Sequence, residues 1–304
     1  MLVILISILI SALALGIGHA FNIKKLWFFG TEELAQAIVS SALLGVLALI
    51  VSSLSASLVA FGAQGPCQQD STTIDYAICS VREQSSNALE ISQLAYKASS
   101  ISGFAGSLQV HLGIVSSSPF SSLSFSSEEL FHTGSNFSLL YSAASSQESA
   151  LSLISSKALV LFFPAGLFLR SFFATRKAGA AIMALCVSLY VFLPLLLATL
   201  LSSFSGNAHF EEARLSLSEY YARFSFLPQT DFEKEASLKD TVNSLAQGDF
   251  ASQTDLLFKP LGAYLGQAFN SLVLFPAISI VICLVLAREL YIGLSSPLVF
   301  WRDA

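Results

Sequence analysis

Ala37–Phe61 reads AIVSSALLGVLALIVSSLSASLVAF, 25 residues without one ionisable side chain. A bilayer core of ~30 Å is crossed by roughly 20 helical residues, and lipid tolerates only backbone whose polar groups are satisfied internally. The stretch therefore predicts a transmembrane helix. Four more apolar segments frame it: Leu2–Ile17, Ala158–Leu169 (extended upstream to near Leu151), Ala180–Phe204 and Ala268–Ala287. The expected fold is all-α: a polytopic membrane protein with about five transmembrane helices and a mostly helical extracytoplasmic domain.

Composition agrees. The 304 residues are 54% hydrophobic and 12% charged, with a mean hydropathy of +0.69. Soluble domains carry about 25% charged residues. A net charge of -5 does not favour nucleic-acid binding, which draws on a basic face. Membrane lipid is the first partner implied.

Short loops orient the spans. Lys24-Lys25 follows the first segment, which lacks the basic leader of a signal peptide and reads as a retained anchor rather than a cleaved signal. Arg170, Arg176 and Lys177 lie in the tight turn between the third and fourth segments, with no acidic residue among them. Both sets place their loops on the cytoplasmic side by the positive-inside rule, with the N-terminus outside and the C-terminus inside the cell membrane. The bland role of the basic hairpin is topology; the sharper one is docking of an acidic cytoplasmic partner. Thr31-Glu32-Glu33 reads as a helix start, with Gly18–Gln36 as a short inner loop.

The expected organisation is two spans in 1–61, a Ser-rich helical insertion in 62–152, a transmembrane hairpin in 153–204, a second outer insertion in 205–267, and the last span with its tail in 268–304. In the first insertion, Ile74, Ile78, Val81, Ala88, Ile91, Ala95, Ala98 and Ile101 fall on one helical face. That face packs on a neighbour in the same domain or forms a partner-binding coiled coil. Ser116–Ser127 reads as a loop, and helix returns near Phe137. In the second insertion Glu211–Phe226 is amphipathic, Pro228 ends it, and Asp231–Leu245 starts another short helix.

Cys67 and Cys79 both lie in the first outer region, where a disulfide is expected; two free thiols or a metal pair are the alternatives. Asn136-Phe137-Ser138 is a glycosylation sequon in the same region. Cys186 and Cys283 read as small apolar residues inside spans. Pro164, Pro194 and Pro276 fall within the last three spans and predict helix kinks. Gly262-x-x-x-Gly266 has the spacing that lets helices touch, or marks a flexible entry turn.

Catalytic chemistry is hard to find. No span interior carries the carboxylate of a proton or ion relay. His19, His111, His132 and His209 are scattered, no metal-binding or phosphate-binding motif occurs, and Ser is too common to single out a nucleophile. The expectation is a non-enzyme with no catalytic residues, metal or cofactor.

The stretch from Phe162 to Leu197, FFPAGLFLRSFFATRKAGAAIMALCVSLYVFLPLLL, resembles a segment of a family of uncharacterised archaeal polytopic membrane proteins. The matching residues are Pro164, Gly166, Leu169, Arg170, Phe172, Thr175, Arg176, Gly179, Tyr190 and Pro194. The paired-Cys loop and the last span, Phe275-Pro276 through Arg288-Glu289-Leu290, are similar too. The resemblance implies no settled activity. The basic hairpin is also similar to inner-membrane channel subunits of conjugative, type IV-like secretion systems. Together these readings point to a subunit of a cell-envelope assembly, such as a DNA-transfer, secretion or surface-filament apparatus, packed with other envelope subunits or with itself as a homo-oligomer. A small-solute channel or transporter is the competing expectation; Ser40, Ser41, Ser52, Ser53, Ser55, Ser57, Ser188 and Thr199 would then line its path.

Overall fold

A computed structural model describes residues 2–60, 67, 72–112, 115–118, 121–170, 175–203, 208–224 and 250–295. The expected Asp231–Leu245 helix, Pro228, and the tail with Trp301 and Arg302 lie outside these residues.

The described chain is helical apart from one small hairpin. Helices α1 (Leu2–Ala20) and α2 (Lys24–Ala60) are followed by α3 (Thr73–Gly106), strands β1 (Val110–Leu112) and β2 (Val115–Ser117), and α4 (Ser122–Lys157). Helices α5 (Phe163–Arg170), α6 (Arg176–Val187), α7 (Leu193–Ser203), α8 (Ala208–Phe224), α9 (Phe250–Phe269) and α10 (Phe275–Ser295) complete it. Among the described residues, three helices are long and apolar enough to cross a membrane: Leu123–Arg170, Arg176–Leu201 and Leu256–Ser295, each running through one of the expected last three spans.

The chain divides into two compact units. Unit 1 comprises Met1–Cys79, Ser149–Ser202 and Pro276–Ala304; unit 2 comprises Ser80–Glu148 and Ser203–Phe275. Both polar insertions thus contribute to unit 2.

In unit 1, α1 and α2 form an antiparallel pair. The Ile23 amide donates to the Gly18 carbonyl (3.0 Å) and the Asn22 amide to the His19 carbonyl (3.4 Å). Asn22 sits between them at φ 50°. This is the six-to-one, five-to-two bonding of a Schellman stop, with Asn in the left-handed position that Gly usually holds. Close approach of the two helices needs glycine. A Cβ on Gly18 would lie 2.7 Å from the Trp27 nitrogen, and one on Gly30 would lie 2.7 Å from Leu15 Cγ. The expected Gly18–Gln36 loop is corrected here, because α2 starts at Lys24. Thr31 is no cap: its hydroxyl donates back to the Phe28 and Trp27 carbonyls at 2.9 and 3.2 Å, the habit of a threonine inside a helix.

In unit 2 the expected face of α3 is buried: Val81, Ala88, Ile91, Ala95, Ala98 and Ile101 are all inaccessible or nearly so. Its partner within the unit is α4, whose Leu123, Leu130, Phe137 and Ala144 recur every seven residues and are likewise buried. Serine makes this seam close. Ser92 Oγ donates to the Gly134 carbonyl at 2.9 Å. Ser99 Oγ donates to the Ser127 carbonyl (2.8 Å), and Ser127 Oγ returns a bond to the Ser99 carbonyl (2.9 Å). A Cβ on Gly106 would meet the Ser124 amide at 2.7 Å. The Ser-rich region read as a loop through Ser127 is corrected twice. Val115–Ser117 pairs antiparallel with Val110–Leu112, and α4 begins at Ser122. Around Tyr264 the core of the unit is aromatic: Phe137 stacks on it at 5.4 Å and Phe210 leans on it at 5.6 Å.

Candidate functional site

The basic hairpin and the three prolines are where the helices depart from regular packing. Helices α5 and α6 cross at two glycines. A Cβ on Gly179 would stand 2.4 Å from the Arg170 nitrogen and 2.6 Å from the Gly166 oxygen, so the backbones touch. This crossing draws the hairpin's arginines inward. Arg170 is only 7% exposed. Its Nη2 donates to the Leu294 carbonyl at 3.3 Å, while Nε and Nη1 are buried with no partner among the described residues. Arg176 forms a buried ion pair through Nη2 with Glu33 Oε1. Of the three basic residues expected to set topology or dock an acidic partner, only Lys177 is exposed. The intervening residues 171–174, with Phe172, lie outside the described residues.

Glu33 was expected to lie at the start of a helix, not in a buried pair. The signal available was an acid standing just before a long apolar run. Its partner is 143 positions away, beyond the reach of any local pattern.

Cys67 and Cys79 are joined by a disulfide, S–S 1.99 Å with Cα atoms 5.8 Å apart, packed with Tyr76 and Ala198 in unit 1. No group of His, Cys, Asp or Glu that could hold a metal occurs among the described residues. Cys186 and Cys283 are free and buried. Asn136 of the sequon is exposed on α4, while Phe137 beside it is fully buried. Gly262 and Gly266 lie within α9 rather than in a turn, and a Cβ on either would meet nothing within 4 Å. Among the described residues they do not mark a close helix contact.

Each expected kink takes the same form. Five residues in a π turn come first, then a large apolar residue, then proline. The π turns are π1 (Ala158–Phe162), π2 (Ser188–Phe192) and π3 (Asn270–Leu274), preceding Phe163-Pro164, Leu193-Pro194 and Phe275-Pro276. In each, the apolar residue's amide bonds back five residues, to Ala158, Ser188 and Asn270 respectively. Proline has no N–H, and its ring collides with the carbonyl four residues earlier. Widening the turn to five residues moves the carbonyls off the ring.

Each π turn takes part in a hydrogen bond between a side chain and a backbone carbonyl that links it to another helix. The Cys186 thiol lies 3.0 Å from the Ala158 carbonyl at π1. Ser188 Oγ, in π2, donates to the Cys283 carbonyl at 2.5 Å. Gln147 Nε2 donates to the Leu272 carbonyl of π3 at 2.5 Å.

Elsewhere in unit 2, Ser102 Oγ and the Tyr220 hydroxyl are 2.7 Å apart. Ser102 also donates to the Ala98 carbonyl at 2.9 Å, which leaves the Tyr220 hydroxyl as donor in the pair. Burial raises the Tyr220 pKa above its ordinary value, and the bond to Ser102 offsets part of that rise.

Comparison with protein-family models, curated proteins and solved structures finds no match to this chain.

Proposed function

We propose that this protein is a non-enzymatic, multi-pass membrane subunit that anchors a helical extracytoplasmic unit in a cell-envelope assembly. In this reading α1 and α2, with 19 and 37 residues, supply the first two of five spans. The N-terminus is outside and the C-terminus inside the cell membrane. A DNA-transfer, secretion or surface-filament apparatus is the class of machine in view, with other envelope subunits or further copies of the chain as partners.

One observation carries the reading. The span hydroxyls whose bonds are described end on helix carbonyls. Ser41 donates to Ile38 at 2.7 Å, Ser52 to Leu49 at 2.9 Å, and Thr199 to Leu195 and Leu196 at 3.0 Å. Ser188 crosses to Cys283. The Ser188 bond to a neighbouring helix supports packing over a water-filled path, while the other three hydroxyls donate within their own helix. The side chains of Ser40, Ser55 and Ser57 lie outside the described residues.

A small-solute channel or transporter is the second reading. The three proline-broken helices favour it, since broken helices present carbonyls to substrates. The Leu272 carbonyl, however, is already taken by Gln147.

Crosslinking in cells, gentle extraction and mass spectrometry decide between them. Stable recovery with secretion, filament or DNA-transfer components supports the assembly. Recovery alone or only with itself overturns the assembly reading and directs attention to solute flux in liposomes.

A further inference from the structure

We infer that Gln147 is the external donor that closes the π turn before Pro276, and that this turn is a joint able to open when Gln147 lets go. The argument begins with the missing hydrogen. In a regular helix the amide of residue 276 would satisfy the carbonyl of residue 272, four positions earlier. Proline at 276 has no such amide. Leu272 is 1% exposed as a residue, so its carbonyl needs a donor from elsewhere, because a buried carbonyl left without one is destabilising. Gln147, on α4 of the same unit, provides it at 2.5 Å.

The rest of the Gln147 amide sharpens the assignment. Among the described residues its Oε1 is buried with no hydrogen-bond partner, so the described contacts hold this side chain by its donor. An apolar residue of similar size would avoid that unsatisfied oxygen. The Leu272 carbonyl is what compensates. Gln147 and Leu272 both belong to unit 2, so the bond lies within one unit.

π1 and π2 are tied differently. The thiol at π1 meets the carbonyl of the turn's first residue, which already accepts the Phe163 amide. Ser188 donates out of π2 rather than into it. Among the described residues, the side-chain donor at π3 is the one that lands on the carbonyl deprived by a proline.

Hydrogen exchange of the full-length protein in lipid nanodiscs tests this, using Gln147→Leu, Pro276→Ala and the double variant. With Pro276 present, Gln147→Leu is expected to speed exchange of the amides from Asn270 to Phe275 about tenfold or more, with α3 and α8 unchanged. In the Pro276→Ala background residue 276 has its own N–H for Leu272, and Gln147→Leu should change exchange less than twofold. An equal acceleration in both backgrounds, or none in either, overturns the inference. Should Gln147→Leu alone fail to fold, recovery of folded protein by adding Pro276→Ala supports it, and failure to recover overturns it.

Discussion

Glu33 and Arg176 lie 143 positions apart in the chain and meet as a buried ion pair, the glutamate side chain 7% and the arginine side chain 16% exposed. The pair joins α2 to the start of α6 within unit 1. Breaking a buried pair from one side leaves an uncompensated charge and costs about 3–5 kcal/mol, whereas replacing both members by apolar groups is often close to neutral. Arg176→Leu and Glu33→Leu should each lower the thermal midpoint, and the double variant should lose less than the sum of the two single losses. Thermal unfolding of the four proteins in one detergent, arranged as a double-mutant cycle, checks the coupling.

Two glycines should respond to alanine with opposite signs. Gly179→Ala places a methyl group against backbone at 2.4 Å. That forces α5 and α6 apart at a cost of about 1–3 kcal/mol or more. Gly262→Ala meets nothing within 4 Å and should stabilise α9 by up to about 1 kcal/mol, the usual difference in helix propensity. Parallel melting curves of the two variants test both statements.

The Cys67–Cys79 bond predicts a count of reactive thiols. Denatured without reductant, the protein should take up two maleimide groups, at Cys186 and Cys283; after reduction it should take up four. Mass spectrometry of the intact chain reads the difference. Four labels before reduction would dismiss the bond.

Alkaline pH should weaken unit 2 through Tyr220. Its folded pKa is raised above the ordinary value of 10.0 by burial, so the folded state holds the proton where the unfolded chain has lost it. The resulting stability is complete below about pH 10 and is lost as pH rises through the folded pKa. Tyr220→Phe should flatten the fall above pH 10. Melting curves between pH 8 and 12, with the tyrosinate absorbance followed in parallel, measure it.

The last three apolar spans, the buried face of α3, and the positions of the helix irregularities at Pro164, Pro194 and Pro276 were legible in the sequence, because each rests on local periodicity or on a property of one residue. The Glu33–Arg176 pair was not, since its members are remote and each has an ordinary local explanation. The π turns were half legible: proline marks a break but does not say how the helix absorbs it. The bond from Gln147 to Leu272 depends on which helices become neighbours. The loop expected through Ser127 failed because serine was read by its turn preference. Here tertiary packing outweighs that preference: Ser127 lies inside α4 and exchanges hydrogen bonds with Ser99.

That serine seam bears on how relatives of this chain are to be recognised. Ser92, Ser99, Gly106, Ser127 and Gly134 share little chemistry beyond small size, and the spacing of α3 and α4 depends on that size more than on the hydroxyl. Alanine and serine can interchange at Ser92, Ser99 and Ser127 with modest effect, whereas Gly106 has no room for a Cβ and valine or leucine anywhere on the seam would pry the helices apart. Descendants of one ancestor could then drift far in letter-by-letter identity along these helices while keeping a periodic profile of side-chain volume. A search scoring bulk at seven-residue intervals would find kinship that a search scoring residue identity passes over.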